Sequence, residues 1–230
     1  GEGGYRAHFG FLSNPFSIYS HATFDVSEAG TPDPAERYEN SRMNSDLAGA
    51  LVKALNVTGT LAGTEAAVRI EMDAHVEEIN IMKGASLRGD IVSYWNEIIP
   101  TAYTTNLTFG RTPDANGAAT SVRDATFSLR YDGNVSGAES IHMSLEGGTL
   151  SYNGAASVLS MKNYGTLKGN GVFTLAAGQE FYNEGTIAPG NSIGTIQVNG
   201  DFTSNGGTFD FEFDGTSRDV LKVSGNAAVT

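Results

Sequence analysis

The chain has 230 residues, with 14 Lys and Arg against 26 Asp and Glu, a formal charge of −12 at pH 7, and no cysteine. That balance excludes the basic footprint that nucleic acid or an anionic membrane surface requires. The missing thiols exclude disulfides and zinc–thiolate sites. Gly at 29 against Pro at 6 points to many tight turns between short strands. No stretch reaches the roughly 18–20 apolar residues of a membrane-spanning helix. The chain opens on Gly1 with no basic or apolar leader, and its last residues break off within a Gly/Asn/Val pattern. It therefore reads as a processed or excised stretch of a longer protein.

Residues 1–45 carry scattered Gly, Ser, Asn and Pro and are expected to be irregular. Their aromatics, Phe9, Phe11, Phe16, Tyr19 and Phe24, are expected to cover an end or side of the next element. At 45–55 Ser45 can cap a helix, and Leu47, Leu51 and Leu55 recur on one helical face. Residues 1–55 thus read as an irregular segment plus a short capping helix. From Asn56 the period becomes two. Val68, Ile70, Met72, Ala74 and Val76 alternate with Arg69, Glu71, Asp73 and His75, and short alternating runs continue to Val223, including Phe209, Phe211 and Phe213. Gly or Asn punctuates many of their ends, the signature of half-buried strands.

The strands repeat one another. Asn163-Tyr164-Gly165-Thr166-Leu167 returns as Asn183-Glu184-Gly185-Thr186-Ile187, and the Gly-Thr-apolar triplet recurs at Gly59, Gly148, Gly194 and Gly207. A repeat of about 20 residues that cannot bury its own apolar face implies stacking, and predicts a parallel β-solenoid of about eight coils and about 40 Å. The competing all-β answer is an antiparallel sandwich, for which Asn116-Gly117, Asn153-Gly154, Asn170-Gly171, Asn199-Gly200 and Asn205-Gly206 would supply the hairpins. The repeated Asn-x-Gly-Thr-apolar unit favours the solenoid. Ala188-Pro189-Gly190-Asn191 reads as a turn, and stacked Asn ladders are expected at such turns.

The run from Gly185-Thr186-Ile187-Ala188-Pro189-Gly190-Asn191-Ser192-Ile193-Gly194-Thr195-Ile196 through Val198-Asn199-Gly200-Asp201-Phe202 closely resembles the passenger-associated repeat of bacterial autotransporters (type V secretion). Gly207-Thr208-Phe209 resembles the strand that follows, and Asp219-Val220-Leu221-Lys222-Val223-Ser224-Gly225 resembles that family's D-x-L-x-V-x-G strand. The likeness covers 163–230, with a weaker match over 79–92, and none over 1–45. It implies an all-β passenger domain, a right-handed parallel β-helix over 56–230. The passenger would be exported through the periplasm by its own C-terminal translocator barrel to a Gram-negative surface, where it stays or is released.

Few residues suggest chemistry. His8, His21, His75 and His142 lack metal-ligand spacing, and alternation places His75 and His142 toward solvent. Gly215-Thr216-Ser217 lacks the partners of a subtilisin-like nucleophile, and Ser192 fits Gly-x-Ser-x-Gly in letters but without a strand-to-helix switch. Asp210, Glu212 and Asp214 share one strand face and read as a solubilising edge in preference to an acid–base pair. Glu71, Asp73, Glu77 and Glu78 likewise read as a solvated cluster. The segment 91–121 interrupts the pattern and is expected to leave the rod as a loop, carrying Tyr94 and the single tryptophan, Trp95, as candidate partner-binding residues.

The sequence therefore predicts a non-catalytic stalk or folding scaffold that presents an upstream effector, with no metal, cofactor or catalytic residue. The alternatives are an adhesin that binds a host surface ligand through the rod side or the 91–121 loop, and a segment of a larger enzyme such as a subtilisin-like protease. Blunt solenoid ends also allow end-to-end self-association.

Overall fold

The computed structural model describes residues 52–230, apart from Asp73 and Ile99, and three short upstream strands. Those strands are β1 (Ala7–Phe9), β2 (Phe16–Ser17) and β3 (Asp25–Val26). Next come β4 (Val52–Val57), β5 (Thr60–Ile70), β6 (Val76–Ile81), β7 (Ser86–Ser93), β8 (Thr105–Phe109), β9 (Arg111–Pro113), β10 (Ala119–Arg123) and β11 (Ser128–Tyr131). The series continues with β12 (Val135–Leu145), β13 (Thr149–Tyr152), β14 (Ala155–Asn163), β15 (Thr166–Gly169), β16 (Val172–Leu175) and β17 (Glu180–Asn183). It closes with β18 (Thr186–Pro189), β19 (Thr195–Asn199), β20 (Asp201–Ser204), β21 (Thr208–Phe209), β22 (Val220–Val223) and β23 (Ala227–Val229). No helix occurs among the described residues.

The strands stack in parallel. One stack runs β4, β6, β8, the second half of β12, the end of β14, β17, β20 and β23. A second runs β1, β5, β7, the start of β12, the start of β14, β16, β19 and β22. A third runs β11, β13, β15, β18 and β21. Because β12 and β14 pass through the first two, those stacks form one 14-stranded sheet. Antiparallel strand pairing is confined, among the described residues, to β9 with β10 and β2 with β3. The sandwich reading is thereby set aside: of the Asn-Gly dipeptides only Asn116-Gly117 lies in an antiparallel hairpin, and the others lie at the ends of, or between, strands that pair in parallel.

Parallel pairing places equivalent positions over one another, so alternation along a strand becomes a column through the layers. Leu55, Ile79, Leu107, Met143, Met161, Phe181 and Phe202 follow in register down the first stack, all buried. Leu150, Leu167 and Ile187 do so in the third. Each such side chain contributes about 1.5–3 kcal/mol on burial. Tyr131, Tyr152, Phe173, Phe181, Phe202 and Phe209 form a continuous aromatic column with ring centroids 5.3–6.3 Å apart. Burial raises the phenol pKa values of Tyr131 and Tyr152 far above the ordinary one.

The repeated Asn-x-Gly-Thr-apolar unit has a packing cause. Asn163 pairs with Asn183, Thr166 with Thr186, and Leu167 with Ile187. Asn163 and Asn183 are fully buried at the end of their strands. Asn163 Nδ2 donates to Asn183 Oδ1 at 2.8 Å, and Asn183 Nδ2 donates to Ser204 Oγ at 3.0 Å, so each amide is satisfied largely by the next layer. The glycine that follows is forced by close approach. A Cβ on Gly165 would lie 2.6 Å from the Gly148 carbonyl oxygen, and one on Gly185 would clash with the carbonyl of Gly165. Asp219 ties the following turn in a comparable way: buried, it accepts from the Gly194 and Glu212 N–H groups, each at 2.8 Å.

Several expectations need correction. The helix expected over 45–55 does not reach its last turn, because Val52–Val57 is a strand; residues 45–51 lie outside the described residues. Pairing of Val52 with Val76 and Leu55 with Ile79 outweighs local helix propensity. Within 1–45, Ala7–Phe9 is not irregular but pairs in parallel with β5. The strand expected across Phe209, Phe211 and Phe213 ends at Phe209; Phe211 and Phe213 are 46% and 72% exposed.

The amide ladder is the sharpest stability test. Asn183→Leu should destabilise the protein by about 2–4 kcal/mol, because it strands the buried Asn163 amide and Ser204 hydroxyl. Chemical denaturation measures this, and an unchanged midpoint would contradict the ladder's role.

Candidate functional site

The two residues singled out from the sequence lie in the segment joining β7 to β8. Trp95 is buried, with 2% of its surface exposed. Its indole stacks on His75 at 5.3 Å between centroids, and Nε1 donates to the Tyr103 carbonyl at 3.0 Å. Asn96, at φ 69°, donates from Nδ2 to the same carbonyl and to that of Glu139. Tyr94 is half-buried under the Arg69 guanidinium, 4.7 Å from its ring centroid. Trp95 thus packs inward, where it cannot anchor a partner from an exposed loop. Within 91–121, Ile91–Ser93 completes β7, β8 sits within the first stack, and the segment that leaves the stacks is the β9–β10 hairpin with its tip at Asn116-Gly117.

His75 does not face solvent: it is 4% exposed, with Nε2 bonded to the Thr104 carbonyl at 3.1 Å. The strict alternation that placed it outward ends at Ile70, and the chain bends before β6 begins. Asp214 caps the turn over Thr216 and Ser217, accepting both N–H groups. Those bonds hold its carboxyl below the usual range. No histidine bonds to Ser217 or Ser192 among the described residues. Asp210, Glu212 and Asp214 are all exposed. No group of three or more His, Asp and Glu converges among the described residues.

A concave surface among the described residues lies elsewhere. Outward side chains of the first stack floor a groove of about 670 Å³. Register makes Glu78, Asn106, His142 and Ser160 one row, and Thr108, Ser144, Lys162 and Tyr182 the next. The β9–β10 hairpin walls one side. Its Arg111 and Arg123 both reach Glu146, at 3.7 and 3.5 Å, and the Arg123 guanidinium lies 4.0 Å over the Tyr164 ring. Ala119 N donates to Asn56 Oδ1, tying the hairpin to the rim of the stack. Tyr164 and Tyr182 meet edge to face at 6.4 Å. Tyr182 donates to Glu184 Oε1, which raises the phenol's pKa.

His142 Nδ1 and Ser160 Oγ are hydrogen bonded at 2.8 Å on adjacent strands. Burial, and then the neighbouring Lys162 charge, push the imidazole below its ordinary value of 6.5. No carboxylate bonds to His142 among the described residues, so the pair lacks the orienting third member of a nucleophilic triad. The groove is therefore built to form hydrogen bonds, and of its residues the sequence singles out only His142, read as facing solvent, and Glu78, read as part of a solvated cluster. The signal that would have found it is the register, which no local pattern supplies across the segment from Glu78 to Phe109 and the hairpin that follows.

Compared with known proteins, the chain matches no family model, no curated protein and no solved structure.

Two outcomes follow from this geometry. Trp95→Ala should lower stability by about 3–5 kcal/mol, the cost of emptying a buried aromatic site; thermal and denaturant unfolding check this. His142 should titrate below 6.5 by NMR, with Lys162→Ala moving it upward. Because the unfolded chain binds that proton more tightly, the stability contribution is held above the unfolded value and declines as pH falls through 6.5 toward the folded one.

Proposed function

We propose that the three parallel stacks are the faces of a right-handed parallel β-helix, and that this segment is a non-catalytic stalk and folding scaffold of the autotransporter passenger kind. The observation that carries the reading is the register of the repeat. Thr149, Thr166, Thr186 and Thr208 occupy one row, with Leu150, Leu167, Ile187 and Phe209 beside them. A repeat that aligns with itself layer by layer supports a solenoid, whose stability is a sum of repeats and their interfaces. The Asp219 contacts give the passenger-like D-x-L-x-V-x-G strand a physical task, since its carboxylate ties the turn before β19 to the chain approaching β22.

On this reading the segment holds an upstream effector away from a Gram-negative surface and gains its fold layer by layer as it emerges through a translocator barrel. Whatever catalysis the parent protein performs resides in that effector. Two experiments test the proposal. Small-angle scattering should give an elongated rod whose length matches layers stacked about 4.8 Å apart, and a compact sphere or a helix-dominated circular dichroism spectrum would sink the β-helix. For the secretion role, the chain is placed between a reporter and a translocator barrel in a Gram-negative host. Surface exposure of the reporter should fall severalfold when Asn183→Leu breaks the amide ladder; display indifferent to that change would count against a folding scaffold.

A further inference from the structure

We propose that the groove on the outer face of the first stack, walled by the β9–β10 hairpin, binds a neutral, polyhydroxylated, extended ligand: an oligosaccharide. The size suits a ligand of a few sugar rings, since small-molecule sites occupy about 300–1,000 Å³, and the groove holds about 670 Å³.

The lining has the chemistry for hydroxyl recognition. Glu78 and Glu180 present acceptors at its two ends, and Lys162 presents donors. Asn106, Ser144 and the His142–Ser160 pair offer both. Arg111 Nε is buried with no acceptor among the described residues, a donor that a ligand hydroxyl or a bridging water would satisfy. Tyr164 and Tyr182 supply what a sugar needs besides hydrogen bonds, an apolar ring with a polar tip for its C–H faces. Tyr164 is fixed by the Arg123 guanidinium on its face, and Tyr182 by its bond to Glu184.

Charge selects against the other extended ligands. Arg111, Arg123 and Lys162 are balanced in number by Glu78, Glu146 and Glu180, both arginines reach Glu146, and the chain as a whole carries −12. The groove thus carries no net positive charge to favour a sulfated glycan or a nucleic acid strand. Burial and the Lys162 charge disfavour the protonated form of His142. A hydroxyl-rich ligand without charge meets a matched set of donors and acceptors, and its own hydroxyls replace the water that solvates them.

The test uses the whole chain on a printed array of neutral, sialylated and sulfated oligosaccharides, followed by titration calorimetry with the strongest neutral compound. Binding of neutral oligosaccharides is expected. Tyr182→Ala and, separately, Asn106→Ala should each weaken it about tenfold. Phe213→Ala, on the exposed loop after β21, should leave it unchanged. All three positions are exposed or half-buried, so unaltered thermal midpoints will show that the variants remain folded. Should Tyr182→Ala nonetheless unfold the chain, Asn106→Ala alone decides. Absence of binding to every neutral compound, a preference for sulfated or sialylated ones, or full affinity in both groove variants would overturn the proposal. The stalk reading does not depend on this groove, and its scattering and display tests report separately.

Discussion

The constraint on which the rest depends is in-register parallel backbone pairing. Once the chain lays each strand over an equivalent one at about 4.8 Å, every side chain acquires a neighbour of the same orientation above and below. Apolar alternation becomes an aliphatic and aromatic column, and glycine becomes obligatory where carbonyls of successive layers meet. The polar residues of the strand ends must then be satisfied by their own counterparts. Asn163 and Asn183, both fully buried, donate in this way to Asn183 Oδ1 and Ser204 Oγ of the following layer. A single layer could not stabilise any of these groups; the layers do so in pairs.

Much of this was legible in the residues. The period of two after Asn56, the recurrence of Asn-x-Gly-Thr-apolar, and the excess of glycine led to stacked short strands, and the pairings of Thr166 with Thr186 and Leu167 with Ile187 agree residue for residue. The failures have identifiable causes. Leu51 and Leu55 fit a helical face, but the helix signal is local, while the pairing of Leu55 with Ile79 is contributed by a strand 24 residues on. His75 obeyed the alternation of its run, yet the run bends before β6, and the imidazole turns inward against Trp95. Phe211 and Phe213 continue the alternating pattern past the end of β21 and are exposed.

The groove illustrates a different limit. Its residues come from five strands and a hairpin, and their adjacency depends on how many residues each layer spends between strands. His142 and Ser160 are 18 residues apart, Asn106 and His142 twice that, because the β9–β10 hairpin is inserted between them. The same insertion that obscures the repeat in the sequence supplies Arg111, which lines the groove, and Arg123, which lies over Tyr164 beside it. An irregularity in a repeat is where a uniform surface acquires a local identity, and here that irregularity stands beside the two tyrosines.

The column that begins with Val57 has one further consequence. It runs through Ile81, Phe109 and Leu145, then changes to Asn163, Asn183 and Ser204, and returns to an apolar residue at Val229. Asn163 follows Leu145 in this column, and its Oδ1 has no hydrogen-bond partner among the described residues. Near-identical layers are prone to slippage, since one repeat can substitute for the next at little cost. A slip that set Leu145 against Asn183 or Ser204 would take from that residue the polar partner it has in the native column. The column therefore works as a counter. It distinguishes three layers from their neighbours and gives a repetitive chain a single alignment with itself.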